Sequence, residues 1–136
     1  MSNIQRLRLP EDDPTFGGNK VFDLFKYSPA VKANGLVFIA GQVGIRPDGT
    51  VPDDAAEQIE LAFKRLGAIL AHEGLGFENL VELVSYHVRI DEQLTTFREI
   101  KDKYVTRDFP AWTILGVASL ARPNLLIEIK AVAAAK

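Results

Sequence analysis

The chain has 136 residues, 47% apolar and 25% charged, with no Cys and a net charge of −2; this balance predicts one soluble domain, residues 1–136, with a core of its own. Without Cys there is no disulfide, thiolate zinc site or Cys nucleophile, and the even spread of Lys and Arg argues against a nucleic-acid partner, which needs a basic footprint to release counterions from phosphates. "MSNIQRLRLPEDD" has no apolar signal region and no apolar run approaches the ~20 residues of a spanning helix, so the expected location is the cytoplasm, away from membranes.

In chain order, residues 1–26 read as an N-terminal edge strand in "NIQRLRL" followed by a loop, because "LPEDDPTFGGNK" carries two Pro and two Gly. "GLVFIAGQVGI", Gly35 to Ile45, is an apolar run of strand length, rich in β-branched and aromatic residues. Gly41 interrupts it, a sign of a bulge or of close approach by a ligand or another backbone. A Pro-Asp-Gly turn follows. Asp54, with Glu57 three residues on, forms a capping box. Ile59, Ala62, Phe63, Leu66, Ile69 and Leu70 then recur at helical spacing as far as Gly74, which predicts a helix from Ala55 to Glu73.

"NLVELVSYHVRI" alternates. Val84, Tyr86, Val88 and Ile90 take one face, and Leu83, Ser85, His87 and Arg89 take the other, which predicts a strand with a partly polar second face. A second helix is predicted over "TTFREIKDKYVTRDFP", with Thr96 and Glu99 as a capping box, Phe97, Ile100 and Tyr104 as its stripe, and Pro110 as its end. "WTILGVAS" and "LLIEIKAVA" read as two strands joined as a hairpin by "LARPN". In that hairpin Trp112, Ile114 and Gly116 share a face with Glu128, with Gly116 close to its carboxylate. The elements add up to an α+β fold, one sheet with two helices packed on one face. The other face, assigned Leu83, Ile114 and much of the 36–45 run, is too apolar to stay bare, so oligomerisation is expected.

Few residues carry chemistry on their own. His72 and His87 have no metal-ligand spacing, and the glycines of "GGNK" and "AGQVG" do not form a phosphate cradle, so neither metal nor cofactor is expected. Ser85 and His87 share a strand face and are read as a polar interface pair rather than a catalytic dyad. Glu128 lies inside an apolar run. An unpaired buried carboxylate costs several kcal/mol or shifts its pKa, so Glu128 either meets a cation, Lys130 or one from a neighbouring subunit, or faces water or a ligand. Both readings stay open.

"KYSPAVKANGLVFIAGQVGIRPDGT", a capped helix and "FPAWTILGVASLARPNLLIEIKAVA", in this order over roughly Tyr27 to Ala133, resemble the RidA family, also called YjgF, YER057c or UK114. The resemblance implies a chorismate-mutase-like mixed sheet with two helices on one face. It implies a homotrimer whose sheets enclose a central barrel, with small-molecule sites in clefts between subunits. The implied chemistry is hydrolysis of reactive enamines and imines, such as 2-aminoacrylate, to ketoacids and ammonia. By position, Glu128 matches the glutamate that works with a water, Tyr27 the cleft tyrosine and Gly41 the strand glycine. The family's carboxylate-binding arginine is expected directly after Pro-Ala, where this chain has Trp112, and an Asn often kept on the second helix matches Lys101.

Trp offers one N–H and no charge, where Arg offers a cationic fork. Losing a bidentate charged contact costs roughly 2–5 kcal/mol of binding, so weak hydrolysis of 2-aminoacrylate is expected. Arg46, Arg89, Arg122 or Lys101 would restore a charge from another direction, an aromatic or uncharged ligand would stack on Trp112, or the cleft is closed. The leading expectation is a RidA-like homotrimer that deaminates an altered imine, enamine or related metabolite. The alternative is a non-catalytic trimer that binds a ligand or partner. A third reading, the family's endoribonuclease activity, sits poorly with a pI of about 5.7.

Overall fold

The computed structural model describes residues 3–136, so the first two residues of the expected N-terminal segment lie outside it. The strands are Ile4–Arg6 (β1), Ala30–Ala33 (β2), Leu36–Val43 (β3), Leu80–Val88 (β4), Ala111–Val117 (β5) and Ile127–Ala134 (β6). The helices are Lys20–Phe25 (α1), Ala55–His72 (α2) and Leu94–Tyr104 (α3). The strands form one sheet in the order β1-β2-β3-β6-β4-β5. Only β4 and β5 run parallel, which makes the sheet mixed. Among the described residues no helix is long and apolar enough to cross a membrane.

Helix α2 forms as its sequence directs. The Asp54 side chain accepts from the Glu57 N–H at 3.2 Å, and the six stripe residues from Ile59 to Leu70 are all buried. Its approach to the sheet needs Gly44, since a Cβ there would run into the Gln58 backbone. Gln58 is itself buried; its Nε2 donates to the carbonyls of Pro52 and Asn124, and its Oε1 accepts from the Leu126 N–H. That clamp holds the segment entering β6 onto α2.

Four expectations are corrected. The expected N-terminal loop contains α1, a six-residue helix without a side-chain cap, too short to be read from periodicity. The Thr96–Glu99 box does not start α3. The helix begins at Leu94 after Gln93, so Thr96 is already inside it, and the Gln93 side chain is engaged by strand carbonyls instead. The expected hairpin does not form. β5 lies parallel to β4, the two joined through α3 as a βαβ unit, while β6 crosses to the centre between β3 and β4. That position buries Ile127, Ile129, Ala131 and Ala133 almost completely, which no edge strand offers. The faces of β4 are also reversed. Leu83, Ser85 and His87 are fully buried under the helices, while Val84, Tyr86 and Val88 are half-buried on the open side.

The second face is bare, as expected, but other residues make it so. Register puts Leu83 and Ile114 on the helix-covered side. The open side carries Phe38, 46% exposed, and Leu115, 43% exposed, with Val84 and Tyr86 between them.

Candidate functional site

Glu128 and Trp112 lie on opposite faces of the sheet. Glu128 pairs with Tyr86 of β4 and Val43 of β3 and points to the open side. Trp112 pairs with Leu83 and points to the side covered by α3. The expectation that Trp112, Ile114 and Gly116 share the Glu128 face is therefore corrected, because it rested on a hairpin that β4 interrupts. The glycine against the Glu128 carboxylate is Gly41, at the register shift between Ile39 and Gln42. A Cβ on Gly41 would collide with that carboxylate.

On the open side, Glu128 is half-buried and, among the described residues, no cation lies within ion-pair distance of it, Lys130 included. Burial alone holds its carboxyl above the usual carboxylate range. Tyr27, 43% exposed, stands edge-on to Phe22. Burial raises its phenol, with the Arg65 field opposing the rise and the Glu128 carboxylate adding to it, so the three groups share one electrostatic neighbourhood. A carboxylate with a raised pKa and no partner is suited to take a proton from water and return it.

On the covered side Trp112 belongs to a chain of buried hydrogen bonds. Its Nε1–H donates to Ser85 Oγ at 2.9 Å, Ser85 Oγ lies 2.8 Å from His87 Nε2, and His87 Nδ1 lies 2.9 Å from Gln93 Oε1. The proton positions follow from Gln93. Its Nε2 donates to the carbonyls of Val88 and Leu126, so Oε1 is the acceptor and His87 Nδ1 carries the hydrogen. Nε2 of the neutral ring then accepts the Ser85 hydroxyl. Burial lowers the His87 pKa, which keeps the ring neutral. Ser85 has no exposed surface and its oxygen already receives the indole N–H. The pair is a structural link and not a dyad, but it is buried in the core of the chain, which corrects its expected place at an interface.

Of the four cations considered for the missing charge, only Lys101 reaches Trp112. Its ammonium sits 4.6 Å from the indole centroid, with its side chain 14% exposed, and Phe97 stacks on the same indole at 5.9 Å. Arg46 pairs with Glu57 at 2.9 Å, Arg89 with Glu92 at 2.8 Å, and Arg122 donates to the Gly49 carbonyl at 3.2 Å, all away from both half-sites. The indole ring and N–H are engaged within the chain, so no stacking surface is held in readiness. One cation escaped the sequence reading. Arg65 lies beside the core stripe of α2 and turns its guanidinium over Phe16 at 4.2 Å; its only signal was a position bordering that stripe. Among the described residues no group of three or more His, Asp or Glu side chains is placed to hold a metal ion.

Known proteins resemble this chain in sequence and fold. Residues 19–135 match the family model described as endoribonuclease L-PSP. The RutC family protein YjgH of Escherichia coli is 34% identical over 118 residues, covering 86% of this chain and 88% of the relative. The human 2-iminobutanoate/2-iminopropanoate deaminase is 35% identical over 109 residues, covering 79% and 78%. Among solved structures, a member of the YjgF/YER057c/UK114 family from Mycobacterium tuberculosis superposes with a TM-score of 0.78 at 25% identity, over 96% of this chain and 99% of that one. The fold is the chorismate-mutase-like fold of these neighbours, and the chain belongs to the endoribonuclease L-PSP family, the RidA or YjgF/UK114 family that its motifs resemble.

Proposed function

We propose that the protein hydrolyses a reactive imine or enamine to a carbonyl compound and ammonia, in clefts shared by the subunits of a homotrimer. The observation that carries this reading is Glu128, a half-buried carboxylate without a cation, set against the one glycine whose missing Cβ leaves it room. The activity in the human relative's name supports imine chemistry. In the proposed reaction, Glu128 takes a proton from water as the oxygen adds to the C=N carbon. It returns that proton to the nitrogen, giving a neutral carbinolamine, then takes the proton of the new hydroxyl and passes it to the nitrogen as the C=O bond forms and the C–N bond breaks; an enamine enters this sequence as its imine tautomer. One imine and one water thereby become one carbonyl compound and one ammonia, and the carboxylate is regenerated. Tyr27 and the Gly41 backbone shape this side of the cleft.

Trp112 and Glu128 face opposite sides of one sheet, so a cleft that uses both takes them from two copies. The bare face with Phe38, Tyr86 and Leu115 favours such assembly. In this reading Lys101, held over Trp112, supplies the charge that meets a substrate carboxylate. An ammonium is a point charge and does not reproduce a guanidinium fork. Small 2-imino acids such as those formed from 2-aminoacrylate are therefore weak substrates, and Trp112 shifts specificity.

The test is a panel of imines generated in situ, with and without a carboxylate, followed by ketoacid and ammonia release. Turnover of at least one, reduced about 100-fold or more in Glu128→Gln, is the expected result. Turnover that is unchanged in Glu128→Gln would sink the mechanism. Saturable binding without any turnover would leave the non-catalytic ligand-binding trimer as the function.

A further inference from the structure

We infer that Arg65 and Lys64 form a second anion site, lined by none of the residues of the Glu128 and Trp112 half-sites, that takes a small carboxylate with a compact apolar body. The two residues line a cavity of about 190 Å³ between α2 and two loops, walled by Pro14, Ile45, Pro47 and Leu61. No acidic residue lines it.

Arg65 is the anomaly that calls for a ligand. Burial brings its guanidinium down to about 10, yet among the described residues no carboxylate lies within ion-pair distance of it. Tyr27 and then Asp13 act on it through space, but burial raises the Tyr27 phenol, and Asp13 Oδ1 already accepts the backbone N–H groups of Thr15 and Phe16 at 2.9 Å. The hydrogen bonds that Arg65 does make are long and go to neutral acceptors, Gln42 Oε1 at 3.3 Å and the Ile45 carbonyl at 3.4 Å. A good N–H···O contact is nearer ~2.9 Å. These bonds and the Phe16 ring fix the direction of the guanidinium and leave its charge without a counter-charge.

The chemistry of the ligand follows from the walls. Arg65 Nη2 makes no hydrogen bond in the chain and is not sealed from solvent. Lys64 forms no ion pair among the described residues and acts only through space on Glu60, so the lining carries two cations and no acid. Apart from Thr15, the remaining walls are prolines and aliphatic side chains, which favour an apolar body and disfavour a strongly hydrated dianion such as free phosphate. A branched-chain or aryl monocarboxylate meets both conditions.

Benzoate and 3-methylbutanoate are the probes, titrated into the 15N-labelled native protein, with benzamide as the neutral counterpart of benzoate. We expect saturable amide shifts centred on Thr15, Ile45 and Leu61 to Arg65, with benzamide binding at least about tenfold more weakly. Arg65→Gln should weaken benzoate by a similar factor, while Glu128→Gln leaves it unchanged, which separates this site from the proposed catalytic one. The inference is overturned by the absence of saturable shifts with either acid, by equal binding of benzamide, or by shifts that map to Glu128 or Lys101 instead. If Arg65→Gln does not fold, Leu61→Trp fills the cavity from its wall, and benzoate binding that persists in it overturns the inference equally.

Discussion

On the helix-covered face, Ser85, His87 and Gln93 are buried and every polar atom among them has a partner. On the open face, β6 presents one carboxylate, Glu128, with no cation within ion-pair distance among the described residues although Lys130 shares its face, beside apolar side chains of which Phe38 and Leu115 stay close to half exposed. A satisfied buried network is what a folded core requires of its polar groups, so the covered face explains itself within one chain. The open face does not. Its apolar area and its uncompensated Glu128 acquire a purpose only when something else covers them. The polar residues that look most like a catalytic pair are thus structural, and the group suited to chemistry is the isolated acid on the opposite side.

The largest expected effect breaks the open face. Phe38→Asp with Leu115→Asp places two charges on it; if the proposed trimer forms through this face, light scattering after size exclusion should show a trimer for the native chain and a monomer for the variant, with like far-ultraviolet circular dichroism spectra. Loss of the fold instead would mean that these residues serve the core. Next is the covered face. Ser85→Ala leaves the Trp112 N–H and His87 Nε2 without partners, and urea unfolding should show a loss of about 2–4 kcal/mol. A loss under about 0.5 kcal/mol would show that water replaces the hydroxyl and that the chain of bonds is dispensable.

Lys101→Met tests whether the covered face also reaches substrate. For a carboxylate-bearing imine its KM should rise roughly tenfold to hundredfold with kcat little changed, as for loss of uniform binding. A substrate without a carboxylate should show no such rise. The smallest effect is on pH. His87 has a lowered pKa in the folded chain, so below about pH 6.5 the unfolded chain binds more protons. Stability from this group is therefore complete above that pH and is lost as pH falls through the folded value. Urea midpoints measured from pH 7 to pH 5 should fall less steeply in His87→Gln than in the native protein; equal slopes would show that His87 does not titrate there.

Much of the fold was legible because local signals agreed with the tertiary outcome. Asp54, Glu57 and the apolar stripe specify α2 without outside help. The apolar content on both sides of the strands announced a face that one chain cannot cover. The RidA-type motifs pointed to Glu128, Gly41 and Tyr27, and the interruption of β3 at Gly41 signalled the close approach that Glu128 makes. The faces of β4 were not legible. Alternation reports two faces without saying which is inside, and Ser85 and His87 qualify as interior only through Gln93 and Trp112, partners distant in sequence. Arg65 was silent for a related reason, since a helix position beside a stripe is exposed or buried according to which loop folds over it.

By itself, then, the sequence determined the family, the main helix, five of the six strands, Ala30–Ala33 being missed, and the presence of a carboxylate in an apolar strand, because these depend on spacing over a few residues. Only the tertiary structure decided that β6 crosses to the centre of the sheet, that Trp112 and Glu128 part to opposite faces, and that Lys101 comes to rest on the indole. The physical reason is that strand order and sidedness are set by which long-range pairing buries the most apolar surface while leaving no polar group unmatched. That sum extends over the whole sheet and cannot be taken one segment at a time.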